Sequence, residues 1–261
     1  MARSLGLALP AKLEIRNLSI SFSSRPRVRA VDDVSLAVVP GETACLLGPS
    51  GCGKSSLLRA IAGFIRPDSG QVLVDGRVVE EPGPDRGMVF QEYALFPWLT
   101  ASRNIEFGLR RRILDRAERR NVARAWIAKV KLEGFEHAYP KQLSGGMQQR
   151  VAVARALAPD PQVLLMDEPF GALDAQTRVL MQEMLESLIY ESQRAVVFVT
   201  HDIDEALIIG DVLCIMSKRP GRVLEISRNP FARPRSARIF ELKEYGPAKA
   251  RIFETIRGEI S

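Results

Sequence analysis

The chain has 261 residues, 46% of them hydrophobic and 26% charged, with a formal net charge of +6. This is an ordinary globular composition, long enough to bury a core without disulfide staples, and it excludes a disordered or fibrous chain. No apolar run approaches the roughly 18 residues that a bilayer crossing requires; the basic balance is that of a chain with an anionic ligand, nucleic acid or lipid partner, or simply of a mildly basic soluble protein.

The start, Met1 to Pro10, is too short and too weakly apolar for a signal peptide. Lys12 to Ser21 alternates as a strand, Val34 to Val39 reads as a second, and Pro40-Gly41-Glu42 turns the chain. Thr43 to Leu47 is a short apolar run that stops at a glycine-rich loop, and Ser55 to Phe64 carries apolar residues at helical spacing. Pro67-Asp68-Ser69-Gly70 is a turn, and Gln71 to Val74 a strand ending at the hairpin signal Asp75-Gly76. From about Thr100 to Tyr139 the chain is charged, mostly helical and poor in strand formers. Arg110, Arg111, Arg112, Arg116, Arg119, Arg120 and Arg124 lie there and read as a solvated helical face, with anionic lipid headgroups as the alternative partner. A helix from Met147 to Ala158 follows Ser144-Gly145-Gly146. Val163 to Met166 and Ala195 to Thr200 are buried-type strands, with a helix from Ala175 to Glu191 between them. Strands alternating with helices give an α/β fold with a mainly parallel sheet, in which ligands gather beyond the carboxyl ends of the strands. Cys45, Cys52 and Cys214 have neither CxxC nor metal spacing and read as free thiols of a reducing compartment.

The chemistry is concentrated at those strand ends. Gly48, Pro49, Ser50, Gly51, Cys52, Gly53, Lys54 and Ser55 match the Walker A pattern. A polyphosphate needs donors converging at close range. Gly48, Gly51 and Gly53 let backbone N–H groups approach without Cβ clashes, and the following helix adds its N-terminal amides. Lys54 supplies a cation for the β- and γ-phosphates, and Ser55 a hydroxyl for Mg²⁺. Cys52 reads as a variable position, although converging amides and Lys54 can activate a thiol there. Val163 to Glu168 resembles Walker B: Asp167 is placed to hold Mg²⁺ and Glu168 to polarise the attacking water. His201 ends a strand, in position to bond the γ-phosphate and that water; His137 lacks such context and reads as surface. Ser144, Gly145 and Gly146 open a helix and form a second anion site. One ATP needs only one phosphate loop, so the second site suits the ATP of another copy, and a homodimer with two shared sites is expected.

Taken together and in order, these residues resemble the ATP-binding cassette (ABC) family. Leu143-Ser144-Gly145-Gly146-Met147 to Arg150 looks like its signature, Val89-Phe90-Gln91 its Q-loop, Gly171 to Asp174 its D-loop and His201 its switch histidine. Phe22 lies where the family stacks an aromatic on adenine. Phe22 stands for a more usual tyrosine, Ser56 for threonine and Met147 for glutamine. The resemblance runs from about Lys12 to Val223. It implies a P-loop NTPase fold with an N-terminal antiparallel β-subdomain. The ATPase domain would span 12–228, a helical subdomain at about 100–158 would be inserted in its core, and 229–261 would form a short basic extension.

The resemblance also implies ATP and Mg²⁺ as ligands, with Gln91 and Asp174 joining the site and Gln91 also near the metal. It implies two ATPs sandwiched in a head-to-tail homodimer. A permease dimer would dock near Gln91 to Leu99, and the chain would sit peripherally on the cytoplasmic face of the inner membrane. Tyr93 to Leu99 is unusually apolar for a loop; local packing is the alternative to a permease contact there. Glu81 to Gln91, Leu95 to Thr100 and Ser217 to Arg222 look like the importers for nitrate, aliphatic sulfonates and taurine, which use a separate solute-binding protein. A soluble cassette acting on DNA or ribosomes is the alternative, but the chain has neither a long coiled-coil insertion nor a second cassette, and no nucleic acid is expected. A non-catalytic module is disfavoured by Glu168 and His201, and an exporter by the lack of a fused span.

Overall fold

The computed structural model describes residues 10–23 and 27–258; nearly all of the leading stretch read as no signal peptide lies outside them. Two sheets organise the chain. The first is antiparallel, with strands β1 (Leu13–Phe22), β2 (Val28–Val38), β4 (Ser69–Val74) and β5 (Arg77–Val78) in the order β2-β1-β4-β5. Asp75 and Gly76 take φ of 49° and 72°, the both-positive turn that a two-residue hairpin demands. β2 begins at Val28, well before the expected Val34. Asp32 and Asp33 hide its alternation: Asp33 sits at φ 53° beside a register shift, and Asp32 accepts from Arg222 Nε at 2.8 Å.

The second sheet has six strands in the order β10-β9-β3-β8-β7-β6. Here β3 is Thr43–Leu47, β6 Arg86–Val89, β7 Val163–Asp167, β8 Ala195–Thr200, β9 Val212–Met216 and β10 Val223–Arg228. All neighbours run parallel except the β9–β10 pair. β3, β7, β8 and β9 are buried at every residue, as expected of strands covered on both faces. β6 is an edge strand that sequence alternation does not reveal. Its Gly87 is required by packing, since a Cβ would lie 2.7 Å from Ala156 O.

Helices α1 (Lys54–Ile61), α5 (Ala175–Ser192), α6 (Ile203–Ile209) and α7 (Tyr245–Arg257) flank this sheet, while α2 (Ala101–Leu109), α3 (Arg116–Lys129) and α4 (Gly145–Leu157) pack on one another around Ile105, Ile127 and Val151. One core cluster joins the two sheets through α1, with Leu46, Leu58 and Val197 inside. Another lies on the opposite side of the parallel sheet, around Phe170, Phe198 and Ile208.

The described residues of the basic extension, 230–258, are tied to the core. Phe231, Ile239 and Ile252 are buried in that second cluster, and the arginines there serve the fold. Arg233 Nε donates to Asp211 Oδ1 at 2.8 Å and Arg235 Nη2 to the same oxygen at 2.6 Å. α7 is latched to α6 by Lys249, 2.6 Å from Asp204, and by Tyr245 Oη, which donates to the same carboxylate.

Candidate functional site

The carboxyl ends of β3, β6, β7 and β8 lie along one edge of the sheet, because the strands are parallel and in register. Residues 48–53 leave β3 there. Gly53 has φ 106°, and a Cβ on it would stand 2.5 Å from Ala30 O; on Gly48 a Cβ would stand 2.8 Å from Met216 O. Backbone lies on the other side in both cases, so only glycine fits. Pro49, Ser50 and Gly51 form the outer rim of the loop.

α1 begins at Lys54 with no side-chain cap, whereas Thr100, Asp115, Ser144, Asp174 and Asp202 cap α2 to α6. Its first amides are therefore left for an anion; Ser56 lies in this same turn. Lys54 is 4% exposed. Its Nζ donates to Gly48 O at 2.7 Å and Pro49 O at 2.9 Å, and it makes no ion pair among the described residues. It also contacts Cys52 Sγ at 3.8 Å; a buried ammonium held by two carbonyls and a thiol, with no anion, is a costly arrangement that a phosphate relieves.

Cys52 departs from the activated-thiol alternative. Its side chain is 1% exposed and belongs to the core beneath the loop, so the thiol is not presented to reagents as an activated nucleophile would be. Cys45 and Cys214 are buried as well, and burial pushes the Cys214 thiol up to about 12.

Ser55 Oγ donates to Asp167 Oδ1 at 2.8 Å, which brings together the loop and the end of β7. Burial pushes the Asp167 carboxyl up, and the Ser55 hydrogen bond opposes it. A hydroxyl and a buried carboxylate side by side suit a hard divalent cation such as Mg²⁺. The described residues contain no group of three or more His, Cys, Asp or Glu able to hold a metal, so an ion here would complete its shell with phosphate and water oxygens. Gln91 is exposed just beyond β6, the neighbour of β7.

Glu168 turns out of β7 at φ 43°, its N–H donating to Val199 O at 3.0 Å. A left-handed glutamate costs roughly 1–3 kcal/mol, and here the strain aims its carboxylate at His201: Oε2 lies 3.1 Å from His201 Nδ1. Sequence reasoning placed both residues but missed what supports them. Thr200 Oγ1 accepts from Asp202 N at 3.0 Å and donates to Glu205 Oε2 at 2.6 Å. Glu205 is buried in the first turn of α6, and burial pushes its carboxyl up to about 7. The signal was a second acid, after Asp204, leading into the apolar run Ala206 to Ile209.

Ser144, Gly145 and Gly146 stand apart from the loop, at the start of α4. Ser144 Oγ accepts from Met147 N at 3.3 Å. A Cβ on Gly146 would meet Thr177 Cγ2 at 2.4 Å, and one on Gly145 would meet Tyr93 Oη at 2.7 Å. Asp174 accepts from Thr177 N at 3.0 Å, and this backbone bond lowers its pKa. The Ser144 turn, Asp174 and Tyr93 are thus one neighbourhood. Phe22 is 43% exposed at the end of β1, and His137 is exposed as expected.

The stretch from Tyr93 to Leu99 divides between local packing and exposure. Asn104, fully buried, donates to Phe96 O at 3.2 Å and Leu99 O at 3.0 Å and accepts from Phe96 N at 2.9 Å. Phe96 packs on Phe107 at 4.4 Å between ring centroids. Trp98 remains 69% exposed. Beside them is a cleft of about 690 Å³ whose apolar walls include Phe64, Met88, Phe90, Phe96 and Phe107.

Comparison with known proteins agrees with this geometry. The family model described as ABC transporter matches residues 31–171. A taurine import ATP-binding protein of Chromobacterium violaceum is 54% identical, over 78% of each chain. A nitrate import ATP-binding protein of Synechocystis sp. is 47% identical, over 81% of this chain and 80% of its own. A dimeric ATP-binding cassette in a post-hydrolysis state, bound to ADP and Pi, superposes with TM-score 0.74 at 33% identity, covering 84% of this chain and all of that one.

Proposed function

This chain belongs to the ABC transporter family and is an ATP-binding, ATP-hydrolysing cassette; on that premise we propose that it energises uptake of a small anion or organosulfur compound through a separate membrane permease. Nitrate, a sulfonate or taurine is the solute class, in keeping with the import proteins it resembles. The observation that carries the reading is the division of the site. One edge of the sheet holds the phosphate loop, Asp167, Glu168 and His201, while the Ser144 turn opens a different helix.

Lys54, the uncapped amides of α1 and the glycine-lined loop hold the triphosphate, and Phe22 stacks on the base. Ser55 and Asp167, with Gln91 nearby, hold Mg²⁺, which when bound neutralises developing charge on the phosphates. Glu168 orients and polarises the attacking water. The 3.1 Å contact with His201 keeps that carboxylate in place and leaves Nε2 of His201 for the γ-phosphate. Catalysis is mainly positioning and electrostatics.

Ser144, Gly145, Gly146 and Asp174 complete the site of a second copy, so the working unit is a head-to-tail homodimer with two shared ATPs. The ATPase domain is read as 12–228, with the helical subdomain at about 100–158 coupling ATP to the permease through the apolar cleft and Trp98. No described helix is long and apolar enough to cross a membrane; the chain is peripheral, on the cytoplasmic face, and a separate solute-binding protein delivers the solute.

Copurification with the permease and solute-binding protein, followed by thermal-shift screening of small anions, tests the transport reading. A solute that shifts the binding protein and stimulates ATP hydrolysis by the assembly is expected; a chain that copurifies with no membrane protein refutes it. Ser144→Arg tests the shared site: monomer ATP binding should persist and the ATP-bound dimer should not form.

A further inference from the structure

We propose that the arginine face of α3 is a docking surface for anionic lipid headgroups, set beside the permease cleft. Arg116, Arg120 and Arg124 stand at i, i+4 and i+8 of α3, so they form one row along the helix, about 12 Å long at 1.5 Å per residue. With Arg103 of α2 they line a hollow of about 560 Å³. An adjoining hollow of about 410 Å³ adds Arg110 and Arg119.

The carboxylates in these walls are Glu106 and Glu136. Glu136 is engaged by the backbone, accepting from Gly134 N at 3.1 Å. Arg110 lies over the Phe107 ring at 5.0 Å, and Arg119 donates to the carbonyls of Ile113 and Leu114. Arg103, Arg116, Arg120 and Arg124 make no side-chain hydrogen bond or ion pair among the described residues. Like charges at i, i+4 disfavour an isolated helix, and no acid is interleaved in this row. An extended array of negative charge is the partner that offsets it.

Two observations favour a bilayer surface over an acidic peptide or a nucleic acid. The second hollow adjoins the cleft: Phe107 lines the cleft and carries Arg110, which lines the hollow together with Leu99. Trp98, next to Leu99, is the most exposed aromatic of this rim, and an exposed tryptophan among arginines suits the headgroup layer. A permease seated in the cleft lies in a membrane, which turns this flank toward anionic lipid. The orientation rests on the permease reading, but the binding itself does not, and an assay without permease separates the two.

The full chain is floated with vesicles of phosphatidylcholine, and of phosphatidylcholine with phosphatidylglycerol. Binding only to the anionic vesicles, weakened by salt, is expected. Arg116→Gln/Arg120→Gln/Arg124→Gln should bind about a hundredfold more weakly, at roughly fivefold per arginine, with ATP hydrolysis unchanged as the control for folding. Arg120→Gln alone should lose about fivefold and Arg120→Lys should retain binding, which keeps the test decisive if the triple variant is unstable. Equal flotation of the wild type and these variants overturns the proposal. So does binding abolished by millimolar inorganic phosphate, which marks a free-anion site, or binding to an RNA oligonucleotide but not to the vesicles.

Discussion

Glu205→Gln isolates the electrostatic cost of the buried carboxylate that Thr200, the neighbour of His201, bonds. Glu205 is 4% exposed. Thr200 Oγ1 donates to it at 2.6 Å, and Arg178 Nε stands 4.0 Å away. Burial is the largest influence and raises its pKa from 4.5 to about 7. The folded chain therefore holds this proton more tightly than the unfolded chain. Stability from the group is fully present below pH 4.5 and is lost as pH rises through about 7. At about 1.4 kcal/mol per pKa unit the full loss is about 3 kcal/mol, most of it between pH 5 and 8.5.

Glutamine keeps the size and the acceptor oxygen for Thr200 but does not titrate. Urea unfolding of the nucleotide-free chain should find the two proteins nearly equal at pH 5. At pH 8.5 the variant should be more stable by about 2–3 kcal/mol, or about 5–10 °C in Tm. A difference that does not change with pH refutes the reasoning. A variant less stable at pH 8.5 shows that the Arg178 pairing outweighs burial.

Lys54→Ala should weaken ATP binding about ten- to hundredfold, the worth of a charge-assisted contact; titration with a fluorescent ATP analogue measures it, and unchanged affinity removes Lys54 from the site. Glu168→Gln should lower turnover at least about a hundredfold and accumulate an ATP-bound dimer on size exclusion, whereas near-normal hydrolysis rules out its role. Cys52 should alkylate as slowly as Cys45 and Cys214 in the folded chain and rapidly only in denaturant. Fast labelling of Cys52 alone, read by mass spectrometry, would mean that the phosphate loop opens.

The elements legible in the sequence are those whose signal is local. β3, β7 and β8 are unbroken apolar runs, and the Asp75-Gly76 turn is set by two adjacent residues. β6 was not legible, because a four-residue edge strand containing Gly87 owes its conformation to pairing with β7. The first half of β2 was hidden because Asp32 and Asp33 look like loop residues until Arg222, far along the chain, arrives to pair with Asp32. Cys52 shows the same limit at the site: its neighbours in sequence suggest an activated thiol, and its neighbours in space bury it.

The sequence by itself determined that a loop with the Walker A pattern, suited to a polyphosphate, lies between Gly48 and Ser55. A close backbone approach to phosphate demands glycines, a lysine and a hydroxyl at fixed short spacing, and such a demand is written in consecutive residues. Only the tertiary structure decided that Glu168 bends to meet His201, that Glu205 lies buried against Thr200, and that Phe231, Ile239 and Ile252 join the core. Burial and pairing depend on what the sheet brings together across long stretches of chain, and no local pattern records that.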